Sequence, residues 1–598
     1  MADRRALLGT GAVLAGVGAA LLSGTAVAAA DTGDDGGQPA GREAARTAST
    51  PSKAPAQRVR APKNSAPGVP AAPAATRPQA GVAADGTQTV TYVSPVVREQ
   101  IAQQVRAELG SQAQAEGWSK PGETPEWTRR ISLYGDVRVR GEGRFYDKDN
   151  ADIFENFGAM NAGDPFNINR FSPDYVGPPF INSLENRNRF RLRARLGVRA
   201  QITDWISADL RLGTGADHSP VSLNQTLGAD GTGKYQLWLD RASIRLKPVQ
   251  DVAIDLGRFA NPFFSSDLVF DNDMNFDGVA ISASAPMSEG LRVFGTAGAF
   301  PVFNTGMNFG SYNARAVEDG GTGGRPFASQ DRYLFAAQAG VDAKLSDAIG
   351  VKLAGAYYHF DNIQAKRSAP CSWYELVCST DALRPAFQQF GNTMTTLRSV
   401  LADPIDPDRS PEGQYFGYAS KFQILHVRGQ LDYKPGDGFG VRLEGDYVRN
   451  LGWKRDQIVA LGALNNLGPQ VRVPNPDTPD ANDTMLVDGP YAGGNAGWQA
   501  RLTVGTVMNL NLAGDWQAKR GDWNAWLAYR RLESDAVVDA FADSDFHIGG
   551  TNNRGWQIGG NYAIAKNTIL GFRWLSAEEV VDAPFSVDRG FIDLMTRF

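Results

Sequence analysis

The chain has 598 residues, of which 42% are hydrophobic and 21% charged, and it carries a formal net charge of −5. That balance leaves no basic domain to hold a polyanion, so a nucleic-acid partner is excluded. Beyond residue 30 no segment approaches the roughly 20 consecutive apolar residues of a spanning helix, so any membrane crossing there must be made by a closed β-barrel.

The chain opens on a targeting segment. Arg4 and Arg5 precede an apolar run from Ala6 to Leu22, and Ala26-Val27-Ala28 offers a small-residue cleavage site, which makes residues 1–28 a secretory signal peptide. The arginine pair lacks the wider twin-arginine motif, and a barrel protein crosses the inner membrane unfolded, so the general secretory route is expected. Residues 29–93 are rich in Ala, Pro, Gly, Ser and Thr and form a disordered or extended linker. Residues 94–118 hold a short periplasmic helix, with Ser94 as cap, Pro95 in the first turn and Gly110 as stop. Its stripe of Val97, Ile101, Val105 and Leu109 is spaced by four, off the 3.5 average of a coiled coil. It serves either to dock on a periplasmic rim or to trimerise.

From Ile131 to the end, period-two alternation and turn chemistry mark sixteen strands. They lie at 131–141, 187–201, 204–214, 235–247, 250–259, 277–285, 291–300, 332–345, 349–360, 420–434, 439–450, 497–513, 521–533, 554–565, 568–577 and 588–598. Their connections alternate between short, as at Thr203-Asp204 and Lys566-Asn567, and long, as at 142–186 and 361–419. Short periplasmic turns and long outer loops are the pattern of an outer-membrane barrel. A soluble sandwich has no reason to segregate loop lengths. The fold class is therefore all-β: a transmembrane antiparallel barrel of about 16 strands over 131–598.

One strand shows both solvents. Arg187, Arg189, Arg191, Arg193, Arg195 and Arg199 share one parity, while Phe190, Leu192, Ala194, Leu196 and Val198 share the other. An arginine facing lipid at the bilayer midplane costs about 2–4 kcal/mol, so this row must face a water-filled lumen. Asp136, Arg138, Arg140 and Asp209 on neighbouring strands fall on the same inward parity and complete the expected pore lining. On the apolar parity, Trp523, Tyr433 and Tyr562 sit near short turns and Trp498, Tyr447 and Trp556 near long loops, as two interfacial girdles would.

The segment from Ser265 to Gly278 is acidic, and Asp267, Asp271, Asp273 and Asp277 make it the candidate constriction loop if it folds inward against the arginine row. Its Asp271, Asp273, Asn275 and Asp277 begin like a calcium loop, but Phe276 stands in place of the turn glycine and Ser282 in place of the bidentate Glu, so no metal or cofactor is expected. Cys371 and Cys378 lie close together in an outer loop, where an oxidising compartment favours a local disulfide. Of His218, His359, His426 and His547, only His426 lies well inside a strand, among Arg428, Gln430 and Asp432 on the polar parity. That is lumen lining rather than a catalytic dyad, and no enzyme is expected. A non-conducting adhesin or structural barrel and, behind it, an outer-membrane hydrolase are the competing readings.

The last strand, Gly590 to Phe598, places Ile592, Leu594, Thr596 and Phe598 on one parity and ends on the aromatic ring. This resembles the assembly signal of bacterial outer-membrane barrels, whose insertion machinery is thereby an expected partner. Gly257-Arg258-Phe259-Ala260-Asn261-Pro262-Phe263, the pair Leu239-Asp240-Arg241-Ala242 with Lys247-Pro248, and the opening Tyr134-Gly135-Asp136-Val137-Arg138 resemble the putative porin family of proteobacterial outer membranes. The resemblance covers residues 95 to 598. It implies a barrel set in outer-membrane lipid and lipopolysaccharide, passing small hydrophilic or charged solutes passively, with an anion preference set by the arginine row and a homotrimer as the assembly usual among general porins.

Overall fold

A computed structural model describes residues 96, 99–105, 107–108 and 126–598 apart from 230, 232, 313–323, 437, 475–483 and 513–515. The expected signal peptide and linker lie outside these residues, as does much of the 94–118 helix, though its described positions between 96 and 108 are helical. The chain divides into two compact units, one over Ala40–Arg129 and one holding Arg130–Phe598. The first contains those helical positions and a single turn at Glu126–Arg129.

The second unit is a closed antiparallel barrel of sixteen long strands among the described residues, with the two-residue segment Gln225–Thr226 added by pairing with Leu192 and Arg191. They are β1 (Ile131–Tyr146), β2 (Arg187–Gln201), β3 (Ile206–Gly213), β4 (Trp238–Val249), β5 (Val252–Ala260), β6 (Asn275–Ser288), β7 (Leu291–Phe303), β8 (Arg332–Lys344), β9 (Ile349–Asp361), β10 (Phe422–Tyr433), β11 (Gly440–Asn450), β12 (Ala496–Gly505), β13 (Trp523–Leu532), β14 (Asn553–Ala565), β15 (Thr568–Glu579) and β16 (Ser586–Arg597). Each pairs with its chain neighbour, and β16 pairs back onto β1 with Asp136 opposite Arg597, so no open edge is left. Phe598 finishes the ring: its N–H donates to the Gly135 carbonyl and its carbonyl accepts from the Gly135 N–H, both at 3.1 Å.

Alternation sets the two surfaces. Leu431, Leu443, Leu502, Leu527 and Ile558 stand directly opposite one another on five consecutive strands, and all five are exposed. They make a continuous apolar belt on the outside. Trp498, Tyr447, Trp556, Trp523, Tyr433 and Tyr562 are exposed on the same side. No described helix is long and apolar enough to cross a membrane.

Two strands end five or more residues from where the alternation predicts. β1 continues past 141 to Tyr146, because Gly141 and Gly143 interrupt the side-chain pattern but not the ladder, which pairs Arg144 with Arg187 and Tyr146 with Val587. β12 stops at Gly505 rather than 513. There the chain leaves the sheet and enters the barrel, burying Leu510, Leu512 and Trp516 against Ala563, Ile569 and Met595. Met508, Leu510 and Leu512 keep the parity of the lipid face, so the pattern reads as more strand, but their apolar surroundings are inside.

The outer half of the lumen holds an apolar core. Leu268, Val269 and Phe270 from the β5–β6 loop, Phe416 and Tyr418 from the β9–β10 loop, and Val537 and Val538 from the β13–β14 loop pack on inward-facing Phe276, Phe300, Tyr358 and Phe422. Phe270 meets Phe276 and Tyr358 edge-on at centroid distances of 5.0 Å. Inward apolar residues on β5 to β11 thus anchor the loops to one arc of the wall.

Candidate functional site

The opposite arc is charged. On β1, Asp136, Arg138, Arg140, Glu142 and Arg144 are buried and point inward, and register sets Arg138 opposite Arg193, Arg140 opposite Arg191 and Arg144 opposite Arg187. Like charges in direct opposition are destabilising, so acids must lie between them. Glu142 accepts from Arg589 at 2.5 Å and from Arg144 and Arg189 at 3.1 Å. Asp136 takes Arg195 at 2.6 Å and Arg193 at 3.1 Å, and Asp593 of β16 takes Arg140 at 2.7 Å. Arg187 and Arg199 lie at the two ends of the row; Arg199 is exposed and stacks on Tyr134 at 5.0 Å, whose hydroxyl donates to Asp209 at 2.5 Å.

The β5–β6 loop, residues 261–274, lies inside the barrel with its acids toward this arc. Asp273 accepts from Arg193 at 2.9 Å and lies 3.5 Å from Arg195. Asp267 pairs with Arg530 at 3.1 Å, and Asp271 accepts from the backbone N–H and hydroxyl of Ser544, both at 2.9 Å. Asp277 is not part of the loop: it lies in β6, which begins at Asn275, on the parity of Val279 and Ile281, and pairs with Arg258 at 2.9 Å.

A second acidic loop, residues 533–552 between β13 and β14, meets the first. The Asp271 N–H donates to the Phe541 carbonyl at 2.7 Å, and the Asp543 N–H to the Asp267 carbonyl at 3.0 Å. Asp545 accepts from Arg140 at 2.9 Å and from Arg573 at 2.6 Å, and Asp543 pairs with Arg530 at 3.1 Å. Within each loop, burial and the facing arginines compete differently from one carboxyl to the next. Burial alone would raise Asp273, but Arg193 and Arg195 outweigh it and hold the carboxyl at about 2. Burial lifts Asp543 to about 6 against the pull of Arg530, and lifts Asp539 to about 7 although Tyr418 donates to it at 2.6 Å. The Asp535-Asp539-Asp543-Asp545 spacing was legible in the sequence, but nothing in it says that the loop turns inward.

Between the two arcs lies a cavity of about 90 Å³, with Arg138, Arg140, Arg193, Arg501 and Arg573 on the wall and Asp267, Asp271, Asp273, Asp543 and Asp545 facing them from the loops. Oppositely charged walls a few ångströms apart set a field across the lumen. From the other end, the β12–β13 turn closes on the same cavity with Asn511 and Leu512. The Leu512 carbonyl accepts from Arg193 at 2.6 Å, and Asn524 and Asn561 donate to the Leu510 carbonyl at 2.7 and 2.8 Å.

His426 is buried; its Nε2 lies 2.9 Å from Asp446, which also takes Arg428 at 2.8 Å. Cys371 and Cys378 are joined by a disulfide within the β9–β10 loop, with Cα atoms 6.0 Å apart.

A family model described as Putative porin matches residues 40–598. Comparison with curated proteins finds no match. Among solved structures, the chain is similar to Pseudomonas putida OprB at 10% identity and TM-score 0.38, covering 79% of this chain and 95% of that one. It is also similar to the outer membrane channel DcaP of Acinetobacter baumannii at 12% identity and TM-score 0.34, covering 78% and 97%. Salmonella typhi OmpF in complex with daunomycin matches at 11% identity and TM-score 0.32, again covering 78% and 97%.

Proposed function

The chain belongs to the putative porin family and is an outer-membrane channel protein; from that premise we propose that it passes small hydrophilic anions passively through the lumen, between the arginine wall and the acidic loops. The observation that carries this reading is the succession of cavities along the arginines, each sharing lining residues with the next. A mouth cavity of about 650 Å³ shares Gly158, Phe387 and Gln388 with one of about 70 Å³ lined by Arg144 and Arg191. That one shares Ser544 with the 90 Å³ cavity, which shares Asp267, Asn272, Arg501 and Asn511 with one of about 160 Å³ lined by Arg428 and Arg442. A solute following this line stays beside guanidinium groups throughout, and the aspartates opposite orient it.

The reading includes export by residues 1–28, insertion by machinery that reads the strand ending at Phe598, an environment of lipid and lipopolysaccharide, and a homotrimer. The test is the reversal potential of the refolded protein in a planar bilayer under a salt gradient. Anion preference is the expected result, and cation preference would give control to the acidic loops. The direct Arg193–Asp273 contact at 2.9 Å favours one second reading, a non-conducting barrel with an adhesive or structural role. A demonstrably folded barrel with no conductance would select it.

A further inference from the structure

Arg332 carries a buried positive charge with no acid within 4.0 Å among the described residues. Twelve arginines are buried among the described residues. Eleven have a carboxylate within 4.0 Å. Arg332, the first residue of β8, is the twelfth and is only 4% exposed. Its Nη1 and Nη2 donate to the Leu383 and Arg384 carbonyls at 3.3 and 3.1 Å, and its guanidinium carbon lies 4.3 Å above the Phe303 ring. These neutral partners stabilise the charge without cancelling it, and Nε has no hydrogen-bond partner among the described residues. A lone buried charge is retained at a cost in stability, which points to a counter-ion that comes and goes.

Arg332 lines a cavity of about 200 Å³ whose other walls include Phe276, Phe300, Phe387, Tyr418 and Phe541. The other charged groups there are already matched: Arg258 with Asp277 at 2.9 Å, and His218 with Asp217 at 2.7 Å. His218, Pro385, Ala386 and Phe387 also line the 650 Å³ mouth cavity, so a ligand enters from the outside without passing the constriction. The volume is below the ~300–1,000 Å³ of drug-sized pockets, which limits the ligand to a single ring or a short chain.

We propose that this cavity binds a small monocarboxylate with an apolar body, of the arylcarboxylate class, whose carboxylate supplies the charge that Arg332 lacks and whose ring lies against Phe300 and Phe387. The site goes beyond the anion preference of the channel, since a ring as well as a charge is selected, and occupancy needs no conduction.

The test is calorimetric titration of benzoate into the refolded full-length protein in detergent, with folding checked by heat-modifiable migration. Saturable binding is expected, weakened at least about tenfold in Arg332→Gln, largely kept in Arg332→Lys and unchanged in Arg292→Gln, an exposed arginine paired with Asp251. Benzyl alcohol, which has the ring without the charge, and acetate, which has the charge without the ring, should each bind at least about tenfold more weakly than benzoate to the unaltered protein. That ligand series decides the matter even if Arg332→Gln fails to fold. No benzoate binding, acetate binding equal to benzoate, or unchanged binding in a folded Arg332→Gln variant would overturn the site. A barrel that conducts but does not bind benzoate refutes this site alone, and one that binds benzoate but does not conduct refutes the channel reading alone.

Discussion

Arg193 donates to Asp273 at 2.9 Å and, through its other terminal nitrogen, to the Leu512 carbonyl at 2.6 Å, so one guanidinium ties the wall to the loop entering from outside and the turn entering from the periplasmic end. Removing one partner of a buried pair leaves the other uncompensated, at about 3–5 kcal/mol. Asp273→Asn should therefore loosen the 261–274 loop and leave Arg193 and Arg195 facing the lumen with less acid opposite. We expect higher single-channel conductance and a reversal potential displaced toward anions. Arg193→Gln should displace it toward cations, and equal potentials in both variants would remove this pair from the conduction path.

Asp539 and Asp543 make the 533–552 loop sensitive to pH. An acid whose native value lies above its ordinary 3.8 keeps its proton folded and loses it unfolded, so the packed loop gains stability at low pH. For Asp539, at about 7, that contribution is fully present below pH ~4 and gone above pH ~7, and it is on the order of 4 kcal/mol. Asp273, held at about 2, acts in the opposite sense only as pH falls below ~4. Amide hydrogen exchange in residues 534–552 should speed up between pH 5 and pH 8 after correction for the intrinsic rate. Asp539→Asn should flatten that dependence.

The 506–522 turn should limit conductance from the periplasmic end, because Leu510, Leu512 and Trp516 are buried inside the barrel and Asn511 lines the narrow cavity. Replacing residues 507–520 by a two-residue Asn-Gly turn keeps the β12–β13 hairpin while emptying that space. Conductance should rise at least about twofold with the barrel intact by heat-modifiable migration. No rise would assign the turn to stability alone.

The sixteen strands could be read from the sequence because lipid on one side and a polar lumen on the other impose period two on every strand. What alternation cannot distinguish is one apolar surrounding from another: Met508, Leu510 and Leu512 have the lipid-facing parity and bury themselves inside. The arginine row could be read for the same reason as the strands, and its partners could not. Asp593 and Arg589 reach it only through the closing register of β16 on β1, and Asp543 and Asp545 only because a distant polar loop folds inward. Arg332 gives no local signal, since its isolation depends on which loops surround it.

Closure of the barrel depends on Gly135. A Cβ there would lie 2.7 Å from Cζ of Phe598 and 2.4 Å from the Arg195 carbonyl oxygen. The ring can swing aside, but the backbone oxygen belongs to the β1–β2 ladder and cannot move without breaking it. Gly135→Ala should therefore destabilise the barrel by about 1–3 kcal/mol, the usual cost of overpacking, and Gly135→Leu by more. Both variants keep Phe598, so refolding into liposomes, where no insertion machinery is present, separates the seat of the ring from its reading by a partner. Reduced yield of heat-modifiable barrel is expected for Gly135→Leu, and for Phe598→Ala a smaller reduction, because the Gly135–Phe598 backbone bonds at 3.1 Å survive that change. If Phe598→Ala refolds normally in liposomes yet fails to accumulate in the outer membrane, the ring acts in recognition and the backbone alone closes the sheet.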